Sequence, residues 1–119
     1  IKEDITKKLI FWSLPKIMIL DFKRFNYFNL EKNNKHIHFD LENLDMRNYV
    51  NEYYSESYIY DLFAICNHVG NREGGHYFSY IKNANNKWYK YDDTDVNEIK
   101  DCSNLISSYA YCLFYRKKK

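Results

Sequence analysis

Residues able to carry chemistry are concentrated in one stretch of this 119-residue chain, from His68 to Tyr77. The stretch contains all three glycines and two of the four histidines. A histidine acts as a general base when a carboxylate or amide binds one ring nitrogen and turns the other toward a nucleophile. Gly74 and Gly75 permit positive φ and leave no side chain beside His76, so an extended ligand has room to approach. The pattern indicates either a catalytic His76 or a glycine turn followed by a structural histidine.

The orienting partner of His76 is predicted on the neighbouring strand of a hairpin. Two strand-like segments flank a turn-rich link, and a hairpin symmetric about Ala84 places His76 directly opposite Asp92. Opposed side chains on one face have Cβ atoms about 4.5–5.5 Å apart, within reach of an imidazole–carboxylate hydrogen bond. Asp93 would then point to the other face, and a slip of one residue in register would exchange the two aspartates.

The elements that must hold this pair are mainly strands. Aromatic residues make up 19% of the chain, which favours half-buried pleated surfaces over helix interiors. We expect a mostly antiparallel sheet of about six strands. The strands are expected at residues 16–27, 36–41, 58–69, 76–81, 88–92 and 110–115, with one more short strand at 96–99.

Three of these segments carry informative patterns. Residues 16–27 begin as a continuous apolar run, which is typical of a central strand that emerges toward solvent. Residues 36–41 alternate between polar and apolar, as in a strand with one buried face. In residues 58–69, strict alternation puts Leu62, Ala64, Cys66 and His68 on one face and Phe63, Ile65 and Asn67 on the other.

The remaining segments are expected to be irregular or short. Residues 1–13 could form a further strand, and residues 42–57 are polar and aperiodic, which predicts a long surface loop. Asp101 or Ser103 is a suitable cap for a short helix at 101–106. A chain of this length forms one domain or part of one.

Composition excludes several classes of function. The 18 basic and 16 acidic residues are interspersed, which indicates no nucleic-acid partner, and no apolar run approaches the roughly 20 residues that cross a bilayer. Three cysteines without C-x-x-C spacing indicate neither a disulfide framework nor a zinc site, and fit the reducing cytoplasm or nucleus. His36 and His38 share a strand face but lack a third ligand, so we expect no metal and no other cofactor.

Five blocks of the sequence resemble, in order and spacing, the C-terminal half of the catalytic domain of ubiquitin-specific proteases, the ubiquitin carboxyl-terminal hydrolases. The blocks are Leu14–Phe25, Tyr60–Gly70, Gly75–Tyr80, Trp88–Val96 and Ala110–Tyr115, and they include Gly75-His76-Tyr77 and Trp88-Tyr89-x-Tyr91-Asp92-Asp93. The resemblance implies an α+β papain-like cysteine protease fold, with residues 1–119 as its β-rich, palm-like half. It also implies a deubiquitinating cysteine protease that hydrolyses the bond after the C-terminal glycine of ubiquitin.

The resemblance assigns roles to individual residues. His76 is the base and Asp92 its orienter, in agreement with the hairpin, and Asp93 is a helper at the site. The loops 70–75 and 42–57 would cover the ubiquitin tail. The residues expected to line the tail channel are His68, Gly74, Gly75 and Tyr77, although a packing role for His68 is equally open.

The cysteine box of that family, its oxyanion-stabilising neighbour and the C-x-x-C pairs of its zinc-binding fingers have no counterpart in this sequence. Cys66, Cys102 and Cys112 lie outside the pattern, so we expect no nucleophile in this chain. The start at Ile1 suggests a segment of something longer, and the 119 residues alone are expected to be inactive. The expected partners are ubiquitin or ubiquitinated proteins and the N-terminal half of the same catalytic domain. The alternative function is a non-catalytic ubiquitin-binding scaffold of the same fold.

Overall fold

The strands of this chain pair into one antiparallel sheet. The computed structural model describes residues 3–25, 31–71 and 73–119. The strands are β1 (Ile17–Asp21), β2 (Leu44–Asp45), β3 (Ile59–Gly70), β4 (Gly75–Lys82), β5 (Trp88–Asp92), β6 (Asp95–Ile99) and β7 (Ala110–Lys117). Short 3-10 helices cover Arg47–Tyr49 and Cys102–Leu105. The prediction of a mostly antiparallel sheet with little helix is confirmed.

The central strand of the sheet is β3, and the strand that begins the sheet lies at its edge. The order is β1-β7-β3-β4-β5-β6, every neighbouring pair is antiparallel, and β2 pairs with β3 outside this path. The predicted central position of residues 16–27 is therefore wrong, and Ile17 and Ile19 are 42% and 58% exposed. Positions 26 and 27 lie outside the described residues. An apolar run shows that a strand is hydrophobic, but not which later strand will pair beside it.

A bulge in β3 changes which residues face the core. The pairing of β3 with β7 shifts between Leu62 and Ala64, which leaves Phe63 without a partner in β7. Leu62 and Ile65 are consequently both buried, each at 1% exposure. Strict alternation predicted them on opposite faces, which is wrong because the extra residue of a bulge interrupts the period of two.

The hydrophobic core packs on one face of the sheet. Its buried members are Leu14, Met18, Met46, Tyr60, Leu62, Ile65, Trp88, Leu105, Ala110, Leu113 and Tyr115. The two tyrosine hydroxyls are satisfied, since Tyr115 donates to the carbonyl of Asp40 at 2.7 Å and Tyr60 donates to the carbonyl of Pro15. Buried hydroxyls without such partners would destabilise the core.

Residues 36–41 pack against the core but do not form the predicted strand. Their burial does alternate, with Ile37, Phe39 and Leu41 half-buried and the intervening residues exposed. The Leu41 carbonyl accepts a hydrogen bond from the Leu62 N–H at 3.0 Å, and no strand pairing follows from it. Alternation indicates only that one side of a segment is buried. An extended segment that packs against a sheet has a buried side, and so does a strand within the sheet, so the pattern does not distinguish them.

The segment 42–57 is more ordered than the predicted loop, because it contains β2 and the helix Arg47–Tyr49. Val50 forms a parallel bridge with Phe11, and this bridge is the strand-like pairing found in the described part of residues 1–13. The predicted short helix near 101–106 is confirmed as the 3-10 helix Cys102–Leu105. Asp101 caps it, since its Oδ1 accepts a hydrogen bond from the Ser103 N–H at 3.0 Å. Among the described residues, no helix has the length and apolar character needed to cross a bilayer.

Close packing, rather than backbone conformation, requires glycine at position 75. A Cβ there would lie 2.2 Å from His68 Nε2 and 2.8 Å from the carbonyl oxygen of Val69. By contrast, no heavy atom lies within 4 Å of the position a Cβ would take at Gly74. Neither of these glycines uses the positive φ that its type permits, whereas Gly70 does, at +106°. The start of β4 therefore lies directly against the His68 ring.

We predict that Gly75→Ala lowers the free energy of unfolding by about 1–3 kcal/mol, because the new methyl group must displace the His68 ring or the β3 backbone. Gly74→Ala is the matched control, and its effect should stay within about 0.5 kcal/mol since it meets no neighbour. Urea unfolding followed by tryptophan fluorescence measures both changes. Equal stabilities of the two variants would contradict the packing role of Gly75.

Candidate active site

The β4–β5 hairpin has a register two residues away from the predicted one. Tyr80 pairs with Lys90, where symmetry about Ala84 would have paired Phe78 with Lys90. The hairpin closes through the Asn83 N–H, which donates to the Lys87 carbonyl at 2.9 Å and leaves a three-residue loop. The last residue of such a loop takes a left-handed conformation, and Asn86 does so at φ +63°. Asparagine tolerates that region better than most residues, but the sequence pattern alone did not distinguish the loop lengths.

His76 and Asp92 nevertheless meet, as diagonal neighbours on one face of the sheet. The register places Phe78 level with Asp92, and His76 lies two residues farther along β4 on the same face. Diagonal positions are about 7–8 Å apart, within reach of long side chains. His76 Nε2 lies 2.5 Å from Asp92 Oδ1. Direct opposition was the wrong prediction, yet the predicted contact is present because a shift of two residues preserves the face.

This hydrogen bond determines which nitrogen of His76 is available for chemistry. When Nε2 donates to the Asp92 carboxylate, the neutral ring carries its proton there and presents Nδ1 as an acceptor. The two side chains are 49% and 31% exposed, so the pair lies at the surface and a second reactant can reach it. The arrangement can accept a proton from a thiol or hydroxyl presented to Nδ1.

Asp93 joins this pair instead of facing away. It follows β5 in the turn where Asp92 pairs with Asp95, and its φ is +52°. This left-handed angle ends the alternation of the strand, so the prediction that Asp93 points to the other face is wrong. Side-chain ligand atoms of His76, Asp92 and Asp93 all lie within 4.8 Å of one another. A cation would find ligands in this cluster, in competition with the hydrogen bond between His76 and Asp92.

Two further side chains, not identified from the sequence, border the pair. The Phe78 ring lies within 19° of parallel to the His76 ring, with centroids 6.3 Å apart. Lys90 Nζ lies 3.8 Å from Asp92 Oδ2 and 4.8 Å from the centroid of the Phe78 ring. The sequence spacing could have identified them, because Phe78 is two residues from His76 and Lys90 is two residues from Asp92, so each shares their face.

His68 is a packed, buried residue beneath Gly75. It is 3% exposed, and its ring contacts those of Tyr77 and Phe25 at centroid distances of 4.7 and 5.8 Å. Lys32 Nζ donates to His68 Nδ1 at 2.9 Å and to the His68 carbonyl at 2.8 Å. Because an ammonium group can only donate, the ring proton lies on Nε2. Burial, and secondly the charge of Lys32, lower the pKa of His68.

The other residues predicted to bind substrate are open to solvent. Tyr77 is 57% exposed and leans on the ring of Tyr111 at a centroid distance of 5.7 Å. Gly74 is exposed, and the loop before it is closed by Asn71, whose Oδ1 accepts from the Gly74 N–H at 2.8 Å. The edge beside Gly74 and Tyr77 therefore has room for an extended chain.

The three cysteines, Cys66, Cys102 and Cys112, are free thiols, and strand pairing places two of them, Cys66 and Cys112, on the face opposite His76. Cys66 pairs with Cys112 on one side and with Ser79 on the other. Since Ser79 alternates with the residues of the His76 face, both paired thiols lie on the opposite face of the sheet. Burial is the main cause that raises the pKa of Cys112, which disfavours its thiolate. Cys102 lies in the second 3-10 helix, after β6.

We predict that His68 lowers the stability of the chain as the pH falls below about 6.5. Its pKa is lowered by folding, so the unfolded chain binds more protons in that range. Its stabilising contribution is therefore complete above the unfolded pKa and is lost as the pH falls toward the folded one. Thermal unfolding midpoints across this range should fall less steeply in His68→Gln than in the unsubstituted chain. An unchanged slope in His68→Gln would refute the assignment.

Comparison with known proteins places this geometry in a family. The model of the ubiquitin carboxyl-terminal hydrolase family matches residues 2–115. Ubiquitin carboxyl-terminal hydrolase 10 of Arabidopsis thaliana is 41% identical over 114 residues, which cover 93% of this chain and 12% of that protein. Ubiquitin carboxyl-terminal hydrolase 4 of Pongo abelii is 37% identical over 119 residues, covering 98% of this chain and 12% of that protein. The chain thus spans a small part of the curated relatives it matches.

Solved structures agree with this result. The fold is similar to the Ubp8-Sgf11-Sgf73-Sus1 SAGA DUB module, with a TM-score of 0.76 and 31% identity over 89% of this chain and 25% of that chain. A SAGA DUB module bound to monoubiquitin gives a TM-score of 0.76 and 30% identity over 89% of this chain and 24% of that chain. These similarities confirm the predicted fold class, in which the antiparallel sheet is the β-rich half of an α+β papain-like fold. By the match over residues 2–115 and by these relatives, the chain belongs to the ubiquitin carboxyl-terminal hydrolase family.

Proposed function

We propose that this chain supplies the general base and its orienting carboxylate to a thiol-dependent deubiquitinase, which hydrolyses the bond after the C-terminal glycine of ubiquitin. The observation that carries the proposal is the 2.5 Å contact between His76 Nε2 and Asp92 Oδ1, which leaves Nδ1 free at an accessible surface. Membership of the family and the monoubiquitin bound to a similar module support ubiquitin as the substrate.

The proposed reaction is acyl transfer through a thioester. His76 Nδ1 removes the proton of a cysteine thiol, and the thiolate attacks the carbonyl carbon of the terminal glycine. Asp92 stabilises the resulting imidazolium and keeps the ring in place, and the ring then protonates the departing amine. Water, deprotonated by Nδ1, cleaves the thioester and restores the thiol. Asp93 is proposed as a helper, because its carboxylate lies in the same cluster.

The thiol is proposed to come from the cysteine-bearing half of the catalytic domain, outside these 119 residues. Cys66 and Cys112 lie on the opposite face of the sheet from His76. The matched relatives are far longer than this chain, which spans 12% of their length. Several large apolar side chains, among them Trp12 at 78% exposure and Ile19 at 58%, are available for contact with such a partner.

The tail of ubiquitin, which ends in two glycines, is proposed to lie beside Gly74 and Tyr77, covered by the loops 70–75 and 42–57. Open space at Gly74 supports this placement. His68 would contribute to this channel indirectly, because its buried ring packs against the backbone at Gly75.

We propose a location in the cytoplasm or nucleus, where free thiols such as those of this chain persist.

We predict that ubiquitin carrying a cysteine-reactive C-terminal electrophile does not label the 119-residue chain. The reason is that Cys66 and Cys112 lie on the face of the sheet opposite His76 and Cys102 lies in the second 3-10 helix, so that His76 is expected to activate none of them. Intact-mass spectrometry of the mixture gives the result directly. Labelling of any cysteine that disappears in His76→Ala would show instead that the chain carries its own nucleophile.

We further predict that His76→Ala lowers kcat/KM for a fluorogenic ubiquitin amide by about a hundredfold to ten-thousandfold, the usual contribution of a positioned base. The assay uses the polypeptide in which the cysteine-bearing half precedes these residues. Asp92→Ala should lower kcat as well, since the ring loses its orientation. Asp95→Ala is the matched control, because Asp95 is exposed and lies opposite Asp92 without a contact to His76. Unchanged turnover in Asp92→Ala would refute the orienting role.

A further inference from the structure

Four side chains on one face of the β4–β5 hairpin form a closed circuit of contacts. His76 and Phe78 occupy alternate positions of β4, and Lys90 and Asp92 occupy alternate positions of β5. His76 binds one oxygen of Asp92, and Lys90 faces the other oxygen at 3.8 Å. Lys90 Nζ also lies 4.8 Å from the centroid of the Phe78 ring, and that ring is nearly parallel to His76. Every member of the circuit thus touches two others.

From this circuit we infer that Lys90 is a positioning residue for the proposed reaction: it holds Asp92 so that Oδ1 stays directed at His76 Nε2. The inference rests on the proposed function for its consequence in catalysis, but its geometry is that of the described residues. The described contacts of Lys90 are with Asp92 and Phe78, and not with the reacting nitrogen of His76. Its effect passes through the Asp92 carboxylate, which has one oxygen for each neighbour.

The setting of Lys90 distinguishes it from an ordinary surface cation. A single lysine–carboxylate pair at the surface is weak, because the long side chain loses conformational freedom to form it. Here the aromatic face of Phe78 already restricts the lysine, and Phe78 is itself buried at 8% exposure. A cation over an aromatic ring gains further stabilisation from the ring electrons. The ammonium group is therefore held beside Asp92 before any substrate binds.

The chain offers a matched comparison for Lys90. Lys87 Nζ lies 3.9 Å from Glu98 Oε1, nearly the same separation as the 3.8 Å between Lys90 and Asp92. Lys87 precedes β5 by one residue, so it belongs to the same hairpin. Its partner has no contact with His76, and it has no aromatic ring contact among the described residues. Any effect specific to Lys90 must therefore arise from Asp92 and His76 rather than from losing a lysine of this hairpin.

The test is a double-mutant cycle in the polypeptide that joins this chain to the cysteine-bearing half. We expect Lys90→Met to lower kcat about threefold to fivefold with little change in KM, the rate equivalent of one partly exposed ion pair. Lys90→Arg should restore most of the rate, and Lys87→Met should leave it unchanged. In the Asp92→Ala background, Lys90→Met should have no further effect, because both oxygens through which it acts are gone. If Lys90→Met lowers kcat by the same factor in that background as in the unsubstituted protein, the positioning role is wrong. Equal effects of Lys90→Met and Lys87→Met on kcat would also overturn it.

A second measurement separates this inference from the proposed function. In the 119-residue chain, the Nε2–H proton of His76, which donates to Asp92, is expected to give a hydrogen-bonded imidazole resonance in a proton NMR spectrum at low temperature. Lys90→Met should weaken that resonance through faster exchange with water, and Lys87→Met should not. Absence of turnover in the unsubstituted longer polypeptide would contradict the proposed function. An unchanged resonance in Lys90→Met would contradict the positioning role of Lys90.

Discussion

The hydrogen bond between His76 and Asp92 depends on the pairing register of β4 and β5, and neighbouring elements fix that register. The three-residue loop that ends at Asn86 sets it, and β3 fixes β4 from the other side. A register that differs by two residues still keeps both groups on one face, whereas a difference of one would separate them. A change of two residues in the β4–β5 register therefore keeps His76 and Asp92 on the same face, and a change of one residue does not.

A second constraint on β4 is its packing against the buried His68 ring of β3. The His68 ring fills the space that a side chain at position 75 would need, and Lys32 anchors that ring through Nδ1. The glycine before His76 is thus explained by packing within the chain, and the space open to a ligand lies at Gly74, where a Cβ would meet no heavy atom within 4 Å. His68 and His76 differ in role for a physical reason: one is buried and held by a cation, and the other is exposed and held by a carboxylate.

Several features could not be predicted because they depend on partners distant in sequence. β1 is an edge strand since β7, nearly a hundred residues later, occupies the position between it and β3. The bulge at Phe63 depends on the pairing of β3 with β7, and no local pattern reveals it. The sequence does not single out Lys90, because a lysine within a strand is usually solvated, and only its neighbours Phe78 and Asp92 give it the inferred role.

The sequence by itself determined the family, the antiparallel character of the sheet, and the identity of His76 and Asp92 as partners. These follow from local patterns: the order of the motif blocks, the period of two, and the parity of positions on a strand. Tertiary structure decided the hairpin register, the position of Asp93 beside the pair, the burial of His68, and the circuit that includes Lys90. Each of these depends on a turn conformation or a cross-strand neighbour, and such interactions arise only when the whole chain packs.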